Sequence, residues 1–348
     1  MAVVMMQGHV FDALVFPSSR DDPFYLLQAT LHGSTAPGFL FASGFVAGLP
    51  RAPLSLRATL RRAKRLLFVL AVGYAIHLPY FSVWKIALQA TRAEKAALFA
   101  CDALQVIAVT QLALLAVQWL VGRYWVAAAA LLAGIVLVAG PGIWASGVAA
   151  RLPLPVAAYL DMSVTPSQFP LFPFSAFVLA GAVAGAALGR QEPRTRRRRG
   201  LAAGACLIAA GLALAVPMRW IVDFWGVSPA YALIRIGALL LILLAVEAVS
   251  RRTGAVRPLA LLGHETLLVY VLHLLMLYGG VIGVSPLARQ FGRLGFAEAA
   301  GVLVLMLPVV YAAAWAWHQC KARAPHAASL TLVFLGVAFL YEFLTRPW

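Results

Sequence analysis

Long apolar runs alternate with short polar connections from one end of this chain to the other. A helix needs about 20 apolar residues to cross a hydrocarbon core of roughly 30 Å, whereas a membrane strand alternates apolar and polar positions over about 10 residues. The runs here are long and show no such alternation, so the pattern predicts helices. About eleven segments emerge, at residues 1–16, 35–50, 66–84, 98–121, 124–144, 170–189, 200–218, 230–249, 259–283, 298–319 and 328–344. No connection is long enough to hold a soluble domain. The expected fold is therefore all-α, a polytopic transmembrane helical bundle built as a single domain over residues 1–348, with a first segment too short to cross unaided.

Composition sharpens this picture. Of 348 residues, 63% are hydrophobic and 11% charged, against about half and about a quarter in an ordinary soluble domain. A water-soluble fold is excluded, and the net charge of +16 loses its usual meaning. Nucleic acid as a partner needs a basic patch on a soluble surface, and here the Lys and Arg sit between apolar runs. Basic residues are retained on the cytoplasmic side. Arg51, Arg61, Arg62, Lys64, Arg65, Arg190, Arg194, Arg196 to Arg199, Lys321 and Arg323 all fall in alternate connections, and the opposite connections are sparser in charge. The N-terminus is expected inside and the C-terminus outside, in a cell inner membrane. Trp84, Trp119, Trp125, Trp144, Trp315 and Trp317 fall at segment ends, as an interfacial aromatic belt requires. Cys101, Cys206 and Cys320 are too scattered for a disulfide framework or a metal site.

Ionisable groups at bilayer depth are costly and mark function by default. His9, Asp12, His32, His77, Asp102, Gln105, Arg235 and His273 all fall in outer halves of segments or in outer connections. The inner halves are mostly apolar apart from Glu247, His264 and Glu265. His9 with Asp12, and Asp102 with Gln105, are spaced i,i+3 and so share a helix face. Each residue has a bland reading: Arg235 snorkels outward, Glu247 pairs with Arg251 one turn on, and a lone histidine satisfies a backbone carbonyl. Taken together, three intramembrane histidines at similar depth with carboxylates and an arginine predict a shared polar cavity. Two entering segments also begin alike, at residues 37–45 and 169–175, with proline and small residues that suit close helix packing.

Four stretches then carry a resemblance: residues 5–12 with Gln7, His9 and Asp12; residues 36–45; residues 102–108 with Asp102 and Gln105; and residues 262–273 with His264, Glu265 and His273. With residues 169–185 and 228–237, they resemble in order and spacing the heparan-alpha-glucosaminide N-acetyltransferase catalytic-domain family, among the membrane acyltransferases. Members of that family carry an Asp and an Arg-Gly pair just before the residues matching 2–9, a point upstream of Met1, and the family's outer-loop histidine has no obvious match here. The resemblance implies transfer of an acetyl (acyl) group from cytosolic acetyl-CoA, a co-substrate rather than a resident cofactor, to an extracytoplasmic acceptor. A cell-envelope sugar, a glycan and a lipid headgroup all qualify as that acceptor. High Ala, Arg and Gly usage suggests a GC-rich bacterial genome and disfavours lysosomal heparan chemistry.

Within that frame the expected base is His9, oriented by Asp12, with His32 as its rival. Asp102, Gln105, Arg235 and His273 would shape the pocket or steady the oxyanion. Arg61, Arg62, Lys64 and Arg65 would attract coenzyme A, unless they serve only as topology anchors. Direct transfer and an acyl-histidine intermediate both remain open, as does oligomeric state. The alternative is a transporter or flippase in which the same residues relay protons.

Overall fold

A computed structural model of the chain describes residues 1–50, 55–220, 224–252, 257–280 and 283–347. Arg51 and residues 281–282 of the ninth expected segment lie outside the described residues. In chain order the α-helices are α1 (Ala2–Leu14), α2 (Pro23–His32), α3 (Thr35–Gly48), α4 (Leu56–Ile76), α5 (Val83–Gln89), α6 (Arg92–Leu98), α7 (Ala103–Val121), α8 (Trp125–Ser146) and α9 (Leu154–Ala157). They continue as α10 (Leu171–Leu188), α11 (Pro193–Met218), α12 (Phe224–Val227), α13 (Pro229–Arg252), α14 (Arg257–His264), α15 (Thr266–Tyr278), α16 (Phe296–Arg323) and α17 (Pro325–Thr345). Among the described residues, the extended backbone amounts to a two-residue ladder, Gly279–Gly280 against Gly283–Val284, and one isolated bridge. The protein is an all-helical, polytopic membrane protein.

Three of the expected segments differ most from the helices observed. The third segment does not run to residue 84: α4 ends at Ile76, and Pro79 bars a helical residue before it. Ser82 then caps a new helix by accepting from the Lys85 amide at 3.3 Å. At its other end α4 begins ten residues early, because Ser55 caps it through the Ala58 amide at 3.2 Å and brings the basic residues onto the helix. The seventh segment likewise starts early, at Pro193, since proline at the first helical turn lacks only an amide that has no partner there anyway. The ninth is broken into α14 and α15, which lie 86° apart across Glu265.

Among the described residues, six helical runs are long and apolar enough to cross a membrane, or up to seven with the bent pair. One of the six, Ala103–Ser146, has 44 residues and would be about 66 Å long as a single helix, about twice the hydrocarbon thickness. It is in fact α7 and α8, joined at Gly122 with φ of 52° and packed against each other. This run therefore counts as two crossings.

Contacts group the chain into two compact units. The first comprises residues 1–35, 78–94 and 250–348. Here α1 packs on α2, α15 and α16 around Val10, Phe11, Leu14, Tyr25, Leu277 and Met306. The far end of α17 is held by the 78–94 segment. Ser82 Oγ donates to the Arg346 carbonyl at 2.9 Å, Trp84 Nε1 donates to the Leu344 carbonyl at 2.8 Å, and Phe81 packs on Phe339 and Phe343. The remaining length of α17 exposes Leu330, Phe334, Val337 and Tyr341, a surface suited to lipid rather than water.

The second unit comprises residues 36–77 and 95–249. Its centre is α10, which packs on α7 and α8 around Phe174, Phe177, Val178 and Ala182. The two segments that begin alike meet here. A Cβ at Gly44 or Gly48 of α3 would lie 1.9 or 2.0 Å from the carbonyls of Val178 and Ala182 in α10. Reciprocally, a Cβ at Gly181 or Gly185 would lie 2.0 or 2.2 Å from those of Phe41 and Phe45. Paired small-xxx-small motifs let the two backbones touch, and close packing accounts for the shared pattern.

Candidate active site

In the first unit α1 presents Gln7, His9 and Asp12, α2 presents Tyr25, Gln28 and His32, and α15 presents His273 and Tyr278. Asp22 begins α2 by accepting from the Phe24 amide at 2.8 Å, which fixes where His32, the last residue of that helix, will stand. Gln7 Nε2 donates to Gln28 Oε1 at 2.7 Å and ties α1 to α2. Three of the four intramembrane or outer-connection candidates named for this unit are rings in a row. The His9 ring lies 5.3 Å, centroid to centroid, from that of His32 on one side and 5.3 Å from that of His273 on the other. Tyr278 stands edge-on to His9 at 6.5 Å.

Asp12 lies at the His32 end of the row. Its Oδ2 is 3.7 Å from His32 Nε2, and its Oδ1 accepts a 2.6 Å hydrogen bond from the Tyr25 hydroxyl. Arg20 Nη2 donates to the Asp12 carbonyl at 2.9 Å. Burial, with the bond to Asp12 adding to it, pushes the Tyr25 phenol up from 10.0 to about 12, so it donates throughout the physiological range.

The two rival histidines differ in what their nitrogens face. His32 Nδ1 is buried without a hydrogen-bond partner and rests on the backbone of α1, where a Cβ added to Gly8 would stand 1.7 Å from it. His9 is half-exposed, whereas His273 is 0% exposed. His32 is also only partly buried, so two of the three rings are accessible, and His9 is the one within 5.3 Å of both of the others.

Asp102, Gln105 and His77 come together in the second unit. Asp102 and Gln105 form a capping box at the start of α7: Asp102 Oδ1 accepts from the Ala103 amide at 2.7 Å, and Gln105 Oε1 accepts from the Asp102 amide at 3.3 Å. Their i,i+3 spacing therefore has a structural role. His77 caps α4, with Nδ1 2.9 Å from the Gly73 carbonyl and Nε2 3.9 Å from Asp102 Oδ2. The hydroxyls of Tyr74 and Tyr159 meet at 2.7 Å. Arg235 stacks on Tyr231, 4.1 Å from the ring centroid. Arg61, Lys64 and Arg65 are exposed on α4 and share one face by their spacing, while Arg62 is half-buried.

Sequence reasoning passed over several groups. Tyr25 sits in a short connection helix and gave no depth signal. Glu265 was singled out, but not its partners: His318 Nδ1 lies 2.9 Å from Oε1, and Lys321 Nζ donates to Oε2 at 2.6 Å. Asp161, which is 2% exposed, accepts from the Ser163 amide and hydroxyl in a connection that the segment pattern treated as featureless.

A row of imidazoles ending on a carboxylate, set among membrane helices, is the equipment of a membrane protein that handles protons during group transfer or transport. Between these two classes the comparison with known proteins decides. The profile of the acyltransferase domain family matches residues 1–315, and the chain belongs to that family. No curated protein and no solved structure matches it. The protein is a membrane acyltransferase.

Proposed function

We propose that the protein moves an acetyl group from cytosolic acetyl-CoA to a hydroxyl or amine on an extracytoplasmic sugar, glycan or lipid headgroup, with His9 as the base. The observation that carries this reading is the place of His9, half-exposed between His273 and the His32 and Asp12 pair. The acceptor heteroatom attacks the thioester carbonyl while His9 takes its proton. The carbon–sulfur bond then breaks, and the departing thiolate takes the proton from His9 to leave as the free thiol. The motif order that resembles heparan-alpha-glucosaminide N-acetyltransferases supports acetyl as the group transferred. Arg61, Lys64 and Arg65 on one face of α4 supply the positive stripe that the phosphates of coenzyme A need. In this reading those residues face the cytoplasm and the C-terminus faces out.

Purified protein in nanodiscs would be given radiolabelled acetyl-CoA and a panel of envelope glycans and lipids. Label transfer or thioester hydrolysis that falls by about two orders of magnitude in His9→Ala is the expected result. Folded protein that neither binds nor turns over acetyl-CoA overturns the reading.

A further inference from the structure

His273 stands behind His9 and does not reach the open side of the site. Its Nδ1 is 2.8 Å from the Val269 carbonyl, which can only accept, so Nδ1 bears the ring proton and Nε2 bears an uncommitted lone pair. That Nε2 is buried and has no hydrogen-bond partner. A buried polar atom left unsatisfied costs free energy, and the site should therefore contain a donor that reaches it in some state of the reaction. His9 is the neighbour with the right span. Two ring radii of about 1 Å each and an N–H···N bond of about 3 Å add to about 5 Å, close to the 5.3 Å between the His9 and His273 centroids.

Resting on the acyl-transfer reading above, we infer that His273 is a positioning residue whose Nε2 accepts a hydrogen bond from His9 once His9 holds the acceptor's proton. The proton itself stays on His9. The acceptor's oxygen or nitrogen loses it to His9 as the new carbon–heteroatom bond forms. His9, now cationic, bears an N–H on each ring nitrogen: the one facing His273 donates to its Nε2, and the one facing the substrate yields its proton to the thiolate sulfur as the carbon–sulfur bond breaks. His273 ends each turnover in the tautomer it began with. A ring in that tautomer has no Nε2 proton to offer an oxyanion, which separates this role from pocket electrostatics. His32 cannot take over the task, because its unpartnered nitrogen rests against Gly8.

The test compares wild type, His9→Ala, His273→Phe and His273→Gln in nanodiscs with labelled acetyl-CoA. A hydrogen bond to a charged group is worth about 1.5–3 kcal/mol, or about ten- to a hundredfold in rate. His273→Phe is expected to lose that much in kcat with little change in the KM for acetyl-CoA. His273→Gln, whose side-chain oxygen can accept at the same place, should recover most of it. His273→Phe at wild-type turnover, or His273→Gln as impaired as His273→Phe while equally folded, overturns the inference and leaves the His9 reading standing. Should His273→Phe fail to fold, nitrogen-15 histidine spectra of wild type and His273→Gln decide: a protonated Nε2 on His273 overturns the inference. Wild-type protein without turnover would instead remove the acyl-transfer reading, and this inference with it.

Discussion

Gly8 decides where His32 can be. With no side chain at that position the imidazole lies flat on α1 and reaches Asp12, and a single methyl group would stand 1.7 Å from its Nδ1. Gly8→Ala changes no titratable group, yet it must push the ring away. The expected outcome is a fall in acyl transfer close to that of His32→Ala, with thermal stability lowered by no more than about 1–3 kcal/mol, as read by parallel activity and unfolding measurements. Tyr25 makes a second residue-scale prediction. Its pKa is raised in the folded protein from 10.0 to about 12, so the neutral phenol contributes stability that is fully present below about pH 10 and lost as pH rises through about 12. The unfolding temperature of Tyr25→Phe should therefore lie below that of wild type at neutral pH, and the gap should close between pH 10 and 12. A gap that persists above pH 12 would place the contribution of Tyr25 in packing alone. At this scale the sequence was informative about which residues were out of place and uninformative about their partners. Asp102, three residues before Gln105 and just ahead of an apolar run, carried a helix-start signature that depth alone obscured. The bond between Glu265 and Lys321 joins positions 56 apart, a distance over which no local pattern speaks.

At the scale of elements, the contact between α3 and α10 depends on what is missing from it. Gly44, Gly48, Gly181 and Gly185 let carbonyls of one helix lie where Cβ atoms of the other would be. Because the neighbour at Gly181 is backbone, it cannot swing aside as His32 can beside Gly8. Gly181→Val should separate the helices and cost about 3 kcal/mol or more, measured as detergent or thermal unfolding of the purified protein. Stability within about 0.5 kcal/mol of wild type would show that the two helices are not pressed together. The existence and type of the elements were legible because twenty apolar residues without alternation leave few choices. Their breaks were less so. The stop at Ile76 was foreshadowed by Pro79, but the bend at Glu265 arises where a carboxylate between α14 and α15 is held by Lys321 and His318 from α16. That is a tertiary cause with no trace in the hydrophobic period.

At the scale of the whole molecule, contacts inside the second unit join ends that an alternating path puts on one side. Trp119 at the end of α7 donates to Thr59 at the start of α4 at 2.9 Å, and Arg196 at the start of α11 pairs with Glu247 at the end of α13 at 2.6 Å. Charge bias then predicts which side is which. In a cysteine-depleted protein, a single cysteine at Glu192 should be shielded from a membrane-impermeant thiol reagent in intact cells, and one at Met162 should react. The reverse pattern would invert the orientation and move the basic stripe of α4 away from the cytosol. What the sequence did not carry is the gathering of residues 1–35, 78–94 and 250–348 into one compact unit, which sets α1 and α15 side by side and so makes the row of histidines.

The bend at Glu265 has a bioenergetic consequence. An enzyme that shuttles protons inside an energised membrane risks becoming an uncoupler, because a continuous chain of ionisable groups from face to face would dissipate the gradient that the cell lives on. In α15, His273 and Glu265 are separated by Thr266, three leucines, two valines and Tyr270, about 12 Å of helix with little that can carry a proton. At the far end Glu265 is already engaged on both oxygens by Lys321 and His318. If His9 acts as proposed, this stretch of α15 insulates its protons from the charged groups gathered at Glu265.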